Sequence, residues 1–412
     1  MMKMIQKLFQ IFILIIAYNR MITIHTLSCM NEKGHPVDSF IGYKVPKLEK
    51  SNDSLVRNGL QYLYVIPSSS SSSTSRSWTF GQRSLNDSRS ILGATLKSIL
   101  KNENNKHYNL IFYNDQKPST RTRSSSTGAH AKGILAMYGK TGFWLLHSIP
   151  QFPIVSDESY EYPKRSLNNG QSFICITISI DDRQTMENVA KHLSMMRPNI
   201  YSINLTKNFL RKYPIYEEFV DKKRHKSNRR PNQLIQTISS ANHLSFTIFS
   251  KNHKFNHDIY ADLIAQHYQD DFFAQSWRNG AGEVLPSDCT YGYKIFNVNS
   301  IKIRDSIQWP YREDHAKWTI SVDHKRRPIV CLVDLNRMRS QFSRGGGAIC
   351  LESSANLWNV FKSSIYDIES CPANKVRFPS LDWLSSLPQR AWRKIDDVKQ
   401  KCGLKKSKKK EK

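Results

Sequence analysis

Two copies of the tripeptide His-Ala-Lys, at residues 130–132 and 315–317, constrain this 412-residue chain more than any other feature. Each copy leads into an apolar segment, 143–146 in the first and 329–333 in the second, and then into a polar cluster. The clusters contain His147, Ser148 and Gln151 after the first copy, and Asp334 and Asn336 after the second. The repeat predicts two similar halves around one active site, to which each half contributes a histidine.

Length and charge limit the class of protein. The chain is long enough for two domains, or for one large domain with two similar halves. Hydrophobic residues make up 39% of it, and the net charge is +27. Residues 390–412 hold 11 Lys or Arg against three Asp or Glu, a net +8 that leaves +19 for the rest. A body this basic predicts a polyanionic partner.

The N-terminus has the form of a signal peptide, which we assign to residues 1–28. Lys3 and Lys7 precede an apolar core at residues 8–18, and small residues allow cleavage before Cys29. An uncleaved anchor is the alternative. No later apolar run approaches the roughly 20 residues of a membrane span, so no span is predicted in the mature chain.

Seven cysteines fit an oxidising compartment. None has the C-x-x-C spacing of zinc knuckles or thioredoxin-like redox sites. Three disulfides and one unpaired thiol are expected, with Cys402 in the basic tail as the odd residue. Three Asn-x-Ser/Thr sequences predict glycosylated surface loops, at Asn52, Asn86 and Asn204.

Alternating and apolar segments predict a mixed fold of strands and helices, either α/β or α+β. The serine tract 68–73 and the basic segment 222–230 are predicted loops. Helices are expected at 183–196 after Asp182, at 259–267 after Asp258, and at 356–363. Strands are expected at 59–66, 109–115, 133–138, 143–147, 172–180, 244–250, 272–277, 294–298, 317–322 and 329–334.

Longer motifs carry a resemblance to a known family. They are GHPVDSFIGYKVPK at 34–47, YNDQ at 113–116, GAHAKG at 128–133, GFWLLHSIPQFP at 142–153, LPSDC at 285–289, EDHAKW at 313–318, DLNR at 334–337 and RGGG at 344–347. In this order they resemble the deoxyribonuclease II family, distant relatives of the phospholipase D superfamily. The resemblance runs from about Cys29 to about Cys371.

The resemblance implies two phospholipase D-like halves, each a mixed sheet flanked by helices, at 29–205 and 206–377. A basic extension, 378–412, lies beyond the family's usual end. The implied activity is metal-independent endonucleolytic cleavage of DNA at acid pH, with 3′-phosphate products and no cofactor. Such an enzyme contacts the DNA backbone without sequence preference and is lysosomal or secreted.

Residue roles follow from the matched motifs. The implied catalytic residues are His130, Lys132, His315, Lys317, Asp334 and Asn336. Substrate-binding positions are Ser148, Gln151 and Arg344, although the family usually has Asn where this chain has Gln151. The implied disulfides pair Cys29 with Cys175, Cys289 with Cys371, and Cys331 with Cys350.

The residue types suit phosphodiester hydrolysis. A neutral imidazole can attack phosphorus to form a phosphohistidine, while a protonated imidazole donates to the leaving oxygen. Lys132 and Lys317 each lie two residues from their histidine, on the same face of a strand, where they can neutralise the phosphate. Asp334 and Asn336 are expected to orient His315. One histidine must hold a proton, so acid pH should suit the pair.

The same residues allow other interpretations. A single H-x-K is most often a surface pair, and Asp334 with Asn336 could simply end a strand. His253 and His257 have helical spacing but no evident third ligand, so we interpret them as solvated. The chain lacks zinc-protease, serine-hydrolase and P-loop signatures. Alternative functions are a secreted DNA-binding protein with lost catalysis, or another phospholipase D-type phosphodiesterase.

Overall fold

The structure is a computed structural model of the chain. It describes residues 26–371, except 68–76, 101–106, 119–127, 155–159, 222–230, 281, 290–291 and 353–354. Most of the signal segment, the serine tract, the basic loop, the basic extension and Cys402 therefore lie outside the described residues.

The first sheet is built from residues 39–204. Its eight strands follow the order β10-β6-β7-β8-β9-β3-β4-β5, and every neighbouring pair is antiparallel. Two short strands, β1 (Cys29–Met30) and β2 (Pro36–Val37), pair beside it. The strands are β3 (Ser39–Lys44), β4 (Tyr62–Val65), β5 (Thr79–Phe80), β6 (Asn109–Asn114), β7 (Lys132–Tyr138), β8 (Thr141–His147), β9 (Gln171–Ser179) and β10 (Ile200–Asn204).

The second sheet is built from residues 233–368. Its order is β11-β12-β18-β17-β16-β13-β14-β15, with β19 also paired to β14. Only the β13–β14 pair is parallel among the strands described. The strands are β11 (Gln233–Ser239), β12 (Ser245–Lys251), β13 (Phe272–Gln275), β14 (Ile295–Arg304), β15 (Ile307–Pro310), β16 (Trp318–Ser321), β17 (Ile329–Val333), β18 (Gly346–Glu352) and β19 (Ile365–Ile368).

Helices are few and short. They are α1 (Ser54–Arg57), α2 (Ile91–Leu100), α3 (Arg183–Met196), α4 (Lys207–Lys212), α5 (Glu217–Val220), α6 (Ala265–Tyr268, preceded by a π-helical turn at Tyr260–Ile264) and α7 (Ala355–Lys362). The described part of the chain contains no helix with the length and apolar composition needed to cross a membrane.

Two of the three predicted helices occur in the structure. Helix α3 has the predicted bounds, and the Asp182 carboxylate accepts from the backbone N–H of Thr185 as an N-cap. The helix expected after Asp258 is instead a π-helical turn followed by one α-helical turn. The predicted strands occur with ends shifted by a few residues. The mixed α/β class is confirmed.

Apolar residues from both sheets share the largest buried cluster. It includes Trp144 on β8 and Trp318 on β16, both fully buried. The disulfides are Cys29–Cys175, Cys289–Cys371 and Cys331–Cys350, the pairs that the family resemblance implied. The first joins β1 to β9, and the third joins paired positions on β17 and β18. Strands β7 and β16, which begin just after the two histidines, are buried along nearly their whole length.

Candidate active site

Each histidine is anchored by a loop that precedes a strand of the opposite sheet. The backbone N–H of His130, just before β7, donates to the Gly345 carbonyl at 2.8 Å. The N–H of His315, just before β16, donates to the Gly170 carbonyl at 2.9 Å. A Cβ atom at Gly345 would overlap the Met196 carbonyl, so only glycine allows this approach. The two motifs therefore meet where the sheets meet.

The ring of His130 has an acceptor near each nitrogen. Its Nδ1 lies 2.8 Å from the Asp334 carbonyl oxygen, and its Nε2 lies 3.7 Å from Asp115 Oδ2. This arrangement corrects the sequence-based expectation, because Asp334 accepts a hydrogen bond from the ring of His130, through its backbone carbonyl, and not from His315. Burial and Lys132 lower the pKa of His130, while the Asp115 charge opposes that shift.

Asp115 is a residue of this site to which the sequence reasoning gave no role. It follows β6, is buried, and forms an ion pair with Lys132. Arg344, from the second half of the chain, lies 3.5 Å from the same carboxylate. Lys132, His130 and Arg344 together hold the pKa of the Asp115 carboxyl well below its usual range, although burial alone would raise it. The signal was present in the sequence, since Asp115 belongs to the YNDQ motif at the end of a predicted strand.

His315 has a different environment. The ring of Trp277, which follows β13, packs against it with centroids 4.2 Å apart. Burial is the largest cause that lowers the pKa of His315 to about 2, and the charges of Lys317 and Lys132 add to it. His315 is therefore neutral across the physiological range, with no carboxylate in ion-pair distance among the described residues.

The two lysines complete a cluster of charge. Lys317 Nζ donates to the His315 carbonyl at 2.7 Å. Burial, then repulsion from Lys132, lowers the pKa of Lys317 to about 7. Burial also raises the pKa of the Asp334 carboxyl to about 7, although Oδ2 accepts from the Gly347 N–H at 2.9 Å. The positive charge of Lys132, from the first motif, thus repels that of Lys317, from the second.

Asp314 fixes the backbone that carries His315. Its carboxylate accepts from the Tyr43 hydroxyl, from Trp309 Nε1 at 2.9 Å, and from the Ala316 N–H at 3.0 Å. Burial raises the pKa of Asp314 to about 6, although the three hydrogen bonds each lower it. The carboxylate therefore links the second motif to strand β3 of the first sheet.

The predicted substrate-binding residues are mostly occupied by protein contacts. The Arg344 guanidinium donates to the carbonyls of Gly128 at 2.9 Å and Ala129 at 3.1 Å. Ser148 donates to Gln171 Oε1 at 2.6 Å and accepts from the Ser172 N–H at 2.9 Å. Ser172 Oγ in turn accepts from the Lys317 N–H at 3.2 Å. Ser148 is therefore connected through Ser172 to the backbone of the second motif.

The two amide residues differ in setting. Asn336 is buried, and its Oδ1 has no hydrogen-bond partner within the described residues. Gln151 has a positive φ of 56°, in a turn where its N–H donates to the Gln116 carbonyl at 3.1 Å. Asn336 Oδ1 therefore makes no hydrogen bond to a histidine ring within the described ranges. Nor do these ranges bring three His, Cys, Asp or Glu side chains together as a metal site would.

A buried histidine behind the site predicts a pH-dependent stability. His192 on α3 packs against Trp144, and its ring nitrogens have no partner among the residues described. Burial lowers its pKa to about 3. Between pH 6.5 and 3 the unfolded state therefore binds the extra proton, and the free energy of unfolding falls as pH falls. From pH 7 to pH 5 this costs about 2 kcal/mol.

His192→Gln should remove that component. We expect the loss of unfolding free energy between pH 7 and pH 5, measured by urea denaturation, to shrink by about 2 kcal/mol. His253→Gln, at an exposed position, is the control and should leave the difference unchanged. An unaltered pH dependence in folded His192→Gln protein would contradict the assignment.

The family model for Deoxyribonuclease II matches residues 28–371. Human Deoxyribonuclease-2-beta is 34% identical over 348 residues, which are 84% of this chain and 92% of that protein. Deoxyribonuclease-2-alpha of Sus scrofa is 32% identical over 361 residues, 87% of this chain and 94% of that protein. Plancitoxin-1 of Acanthaster planci is 31% identical over 349 residues, 85% and 94% respectively.

Proposed function

Because the chain belongs to the deoxyribonuclease II family and is a deoxyribonuclease-type hydrolase, we propose that it is a metal-independent acid endonuclease. It cleaves DNA phosphodiesters to 3′-phosphate products through its two His-Ala-Lys motifs. The observation that carries the proposal is the cross-anchored histidine pair, with His130 bound to Gly345 and His315 to Gly170.

His315 is the nucleophile. Its ring is neutral at acid pH because burial and two lysines lower its pKa to about 2. A neutral ring nitrogen has the lone pair needed to attack phosphorus. The N–P bond forms as the P–O5′ bond breaks, which leaves a 3′-phosphoryl group on His315.

His130 carries the proton. Burial and Lys132 lower the pKa of this ring in the free protein, but the carbonyl near Nδ1 and the carboxylate near Nε2 both stabilise its doubly protonated form. The negative phosphate adds to that effect when DNA enters. His130 donates its proton to the departing 5′ oxygen, then accepts one from the water that breaks the N–P bond. The products are a free 3′-phosphate and regenerated histidines.

Lys132 and Lys317 stabilise the nonbridging oxygens, where negative charge grows in the transition state. Asp334 contributes its carbonyl to the orientation of His130. We also assign Asn336 to the catalytic residues, because its Oδ1 is buried and has no hydrogen-bond partner among the described residues. Ser148, Gln151 and Arg344 are assigned to support of the phosphate site, and Arg344 acts through Asp115.

Acid pH suits this division of roles. Lys317, with its pKa lowered to about 7, is charged at pH 5 and loses charge as pH rises. His130 also loses its proton as pH rises. Both changes weaken phosphate stabilisation and proton donation, so activity should fall from pH 5 to pH 8.

The organisation proposed for the chain is two phospholipase D-like halves at 29–205 and 206–377. Separate sheets built from 39–204 and 233–368 support this boundary. A signal peptide, 1–28, and a basic extension, 378–412, complete it. Three disulfides support a lysosomal or secreted location. The net charge of +27 supports sequence-independent contact with the DNA backbone.

Plasmid nicking at about pH 5 in EDTA tests the function. We expect nicked and then linear DNA, at a rate about tenfold or more above that at pH 8, because the reaction needs both Lys317 and His130 in their protonated forms. A DNA polymerase should extend the product ends only after phosphatase treatment, because the 3′ ends carry phosphate.

Three other outcomes would reject parts of the proposal. Cleavage only near neutral pH with magnesium would reject the metal-independent mechanism. Salt-sensitive DNA binding without cleavage would identify a binding protein that has lost catalysis. Faster hydrolysis of phosphatidylcholine than of DNA would indicate another type of phosphodiesterase.

A further inference from the structure

Two lysines outside the histidine cluster are fully buried, with no exposed surface: Lys44 and Lys251. Lys44 ends strand β3 and Lys251 ends strand β12. Neither forms an ion pair with a carboxylate within the described residues. A buried ammonium is costly unless its three donors are satisfied.

Each ammonium donates to three backbone carbonyls of one loop. Lys44 Nζ donates to Ser166 at 3.0 Å, to Leu167, and to Asn169 at 2.8 Å. Lys251 Nζ donates to Gln341 at 3.2 Å, to Phe342 at 2.7 Å and to Arg344 at 2.8 Å. We call residues 166–170 and 341–345 the carbonyl loops.

The two sets of contacts have the same positions relative to their strands. Lys44 pairs with Gln171 on β9, and Lys251 pairs with Gly346 on β18. In both cases the carbonyls belong to the residues five, four and two positions before that partner. The same contact between a strand-end lysine and the loop before the paired strand therefore occurs once in each sheet.

The residue that ends each carbonyl loop holds a histidine of the opposite half. Gly170 accepts from the N–H of His315, and Gly345 accepts from the N–H of His130. Lys44 in the first half is thus connected to His315 in the second, and Lys251 in the second half to His130 in the first. Burial lowers the pKa of Lys251 to about 8, so at pH 5 its ammonium keeps all three donors.

We infer that Lys44 and Lys251 are positioning residues, each of which holds the carbonyl loop that places the histidine of the opposite half. The inference rests on the proposed function of the two histidines. A neutral, apolar side chain would remove this donor from all three carbonyls of a loop. The Leu167 carbonyl would keep the Lys47 N–H and the Gln341 carbonyl the Arg344 N–H, but the other two carbonyls of each loop would lose the donor observed here. The loop would then relax and move its glycine, and a shift of about 1 Å in a reacting group costs about 10²-fold in rate.

Lys44→Met and Lys251→Met in the full, disulfide-bonded chain test the crossed connection. Histidine labelled at Cε1 reports each ring by NMR, with signals assigned from His130→Ala and His315→Ala. We expect Lys44→Met to shift the His315 signal and leave that of His130, and Lys251→Met to do the reverse. kcat on DNA should fall roughly 10- to 100-fold, with KM changed less than about twofold.

Lys254→Met, at an exposed position three residues beyond Lys251, is the matched control and should alter neither signal nor kcat. Lys44→Gln and Lys251→Gln keep a hydrogen-bond donor and are milder variants. In each, we again expect a shift of the histidine signal of the opposite half. Folded variants that lose activity with both histidine signals unchanged would overturn the inference. So would shifts confined to the histidine of the mutated half.

If neither Met nor Gln variants fold, the lysines serve folding and the positioning role is rejected. The NMR result does not depend on turnover. Should the wild-type chain fail to cleave DNA, the proposed function would fail while the crossed shifts still decide the positioning role.

Discussion

His130→Ala and His315→Ala should each remove nearly all DNA cleavage at pH 5. Loss of the proton carrier alone is expected to lower kcat about 10²- to 10⁴-fold, and loss of the nucleophile by at least as much. Because the two rings act as a unit, the double variant should be scarcely slower than either single one. Rates from plasmid nicking and DNA affinity from filter binding separate catalysis from binding.

Both single variants should still bind DNA, since the lysines and the basic surface remain. A covalent protein–DNA adduct, detected on a denaturing gel, should form only slowly in His130→Ala, where both its formation and its hydrolysis lack the proton carrier, and should be absent in His315→Ala. His253→Ala, at an exposed position, is the control. Most of the wild-type activity in either folded single variant would refute the paired-histidine mechanism, and an adduct in His315→Ala would reverse the two roles.

Asp115→Asn should cause the second large loss. The carboxylate lies between Lys132 and Arg344 and 3.7 Å from His130 Nε2. Without it, protonated His130 loses the partner that opposes the lowering of its pKa. We expect kcat at pH 5 to fall about 10²- to 10⁴-fold, while DNA affinity is retained or increases because a negative charge has gone.

The pH profile gives a further test of Asp115. His130 will hold its proton only at lower pH, so the pH above which activity declines should move downward. Stability should also drop by about 3–5 kcal/mol, because buried cations lose their counter-charge, so assays need a temperature at which the variant is folded. Asp181→Asn, an exposed residue paired with Lys212, is the control. Near wild-type kcat would exclude a role in proton transfer.

Local patterns explain why much of the fold was predictable. Helix α3 was predicted to the residue, because Asp182 caps a strongly periodic segment and Pro198 lies just beyond it. Strands β7, β8 and β9 were found because all are nearly continuous apolar runs in the sheet interior. The π-helical turn at Tyr260–Ile264 was missed, because its side chains have the same apolar pattern as an α-helix.

The partners of the site were less predictable. Asp334 was expected beside His315, since it follows the second motif, but its carbonyl lies against His130. Closeness along the chain gave the wrong partner, because residues that follow the second motif contact the histidine of the first. Asp115 lay in a matched motif without an assigned role, since only the approach of Arg344, 229 residues away, makes it a shared counter-ion.

The sequence alone determined the family, the mixed fold and the pair of His-Ala-Lys motifs, because these depend on residue type and local periodicity. Only the tertiary structure decided which half supports which histidine. His130 and His315 are held by the carbonyls of Gly345 and Gly170, and those loops by Lys251 and Lys44. Every residue has a backbone carbonyl, so contacts of this kind leave almost no signature in residue type and exist only once the two sheets have packed together.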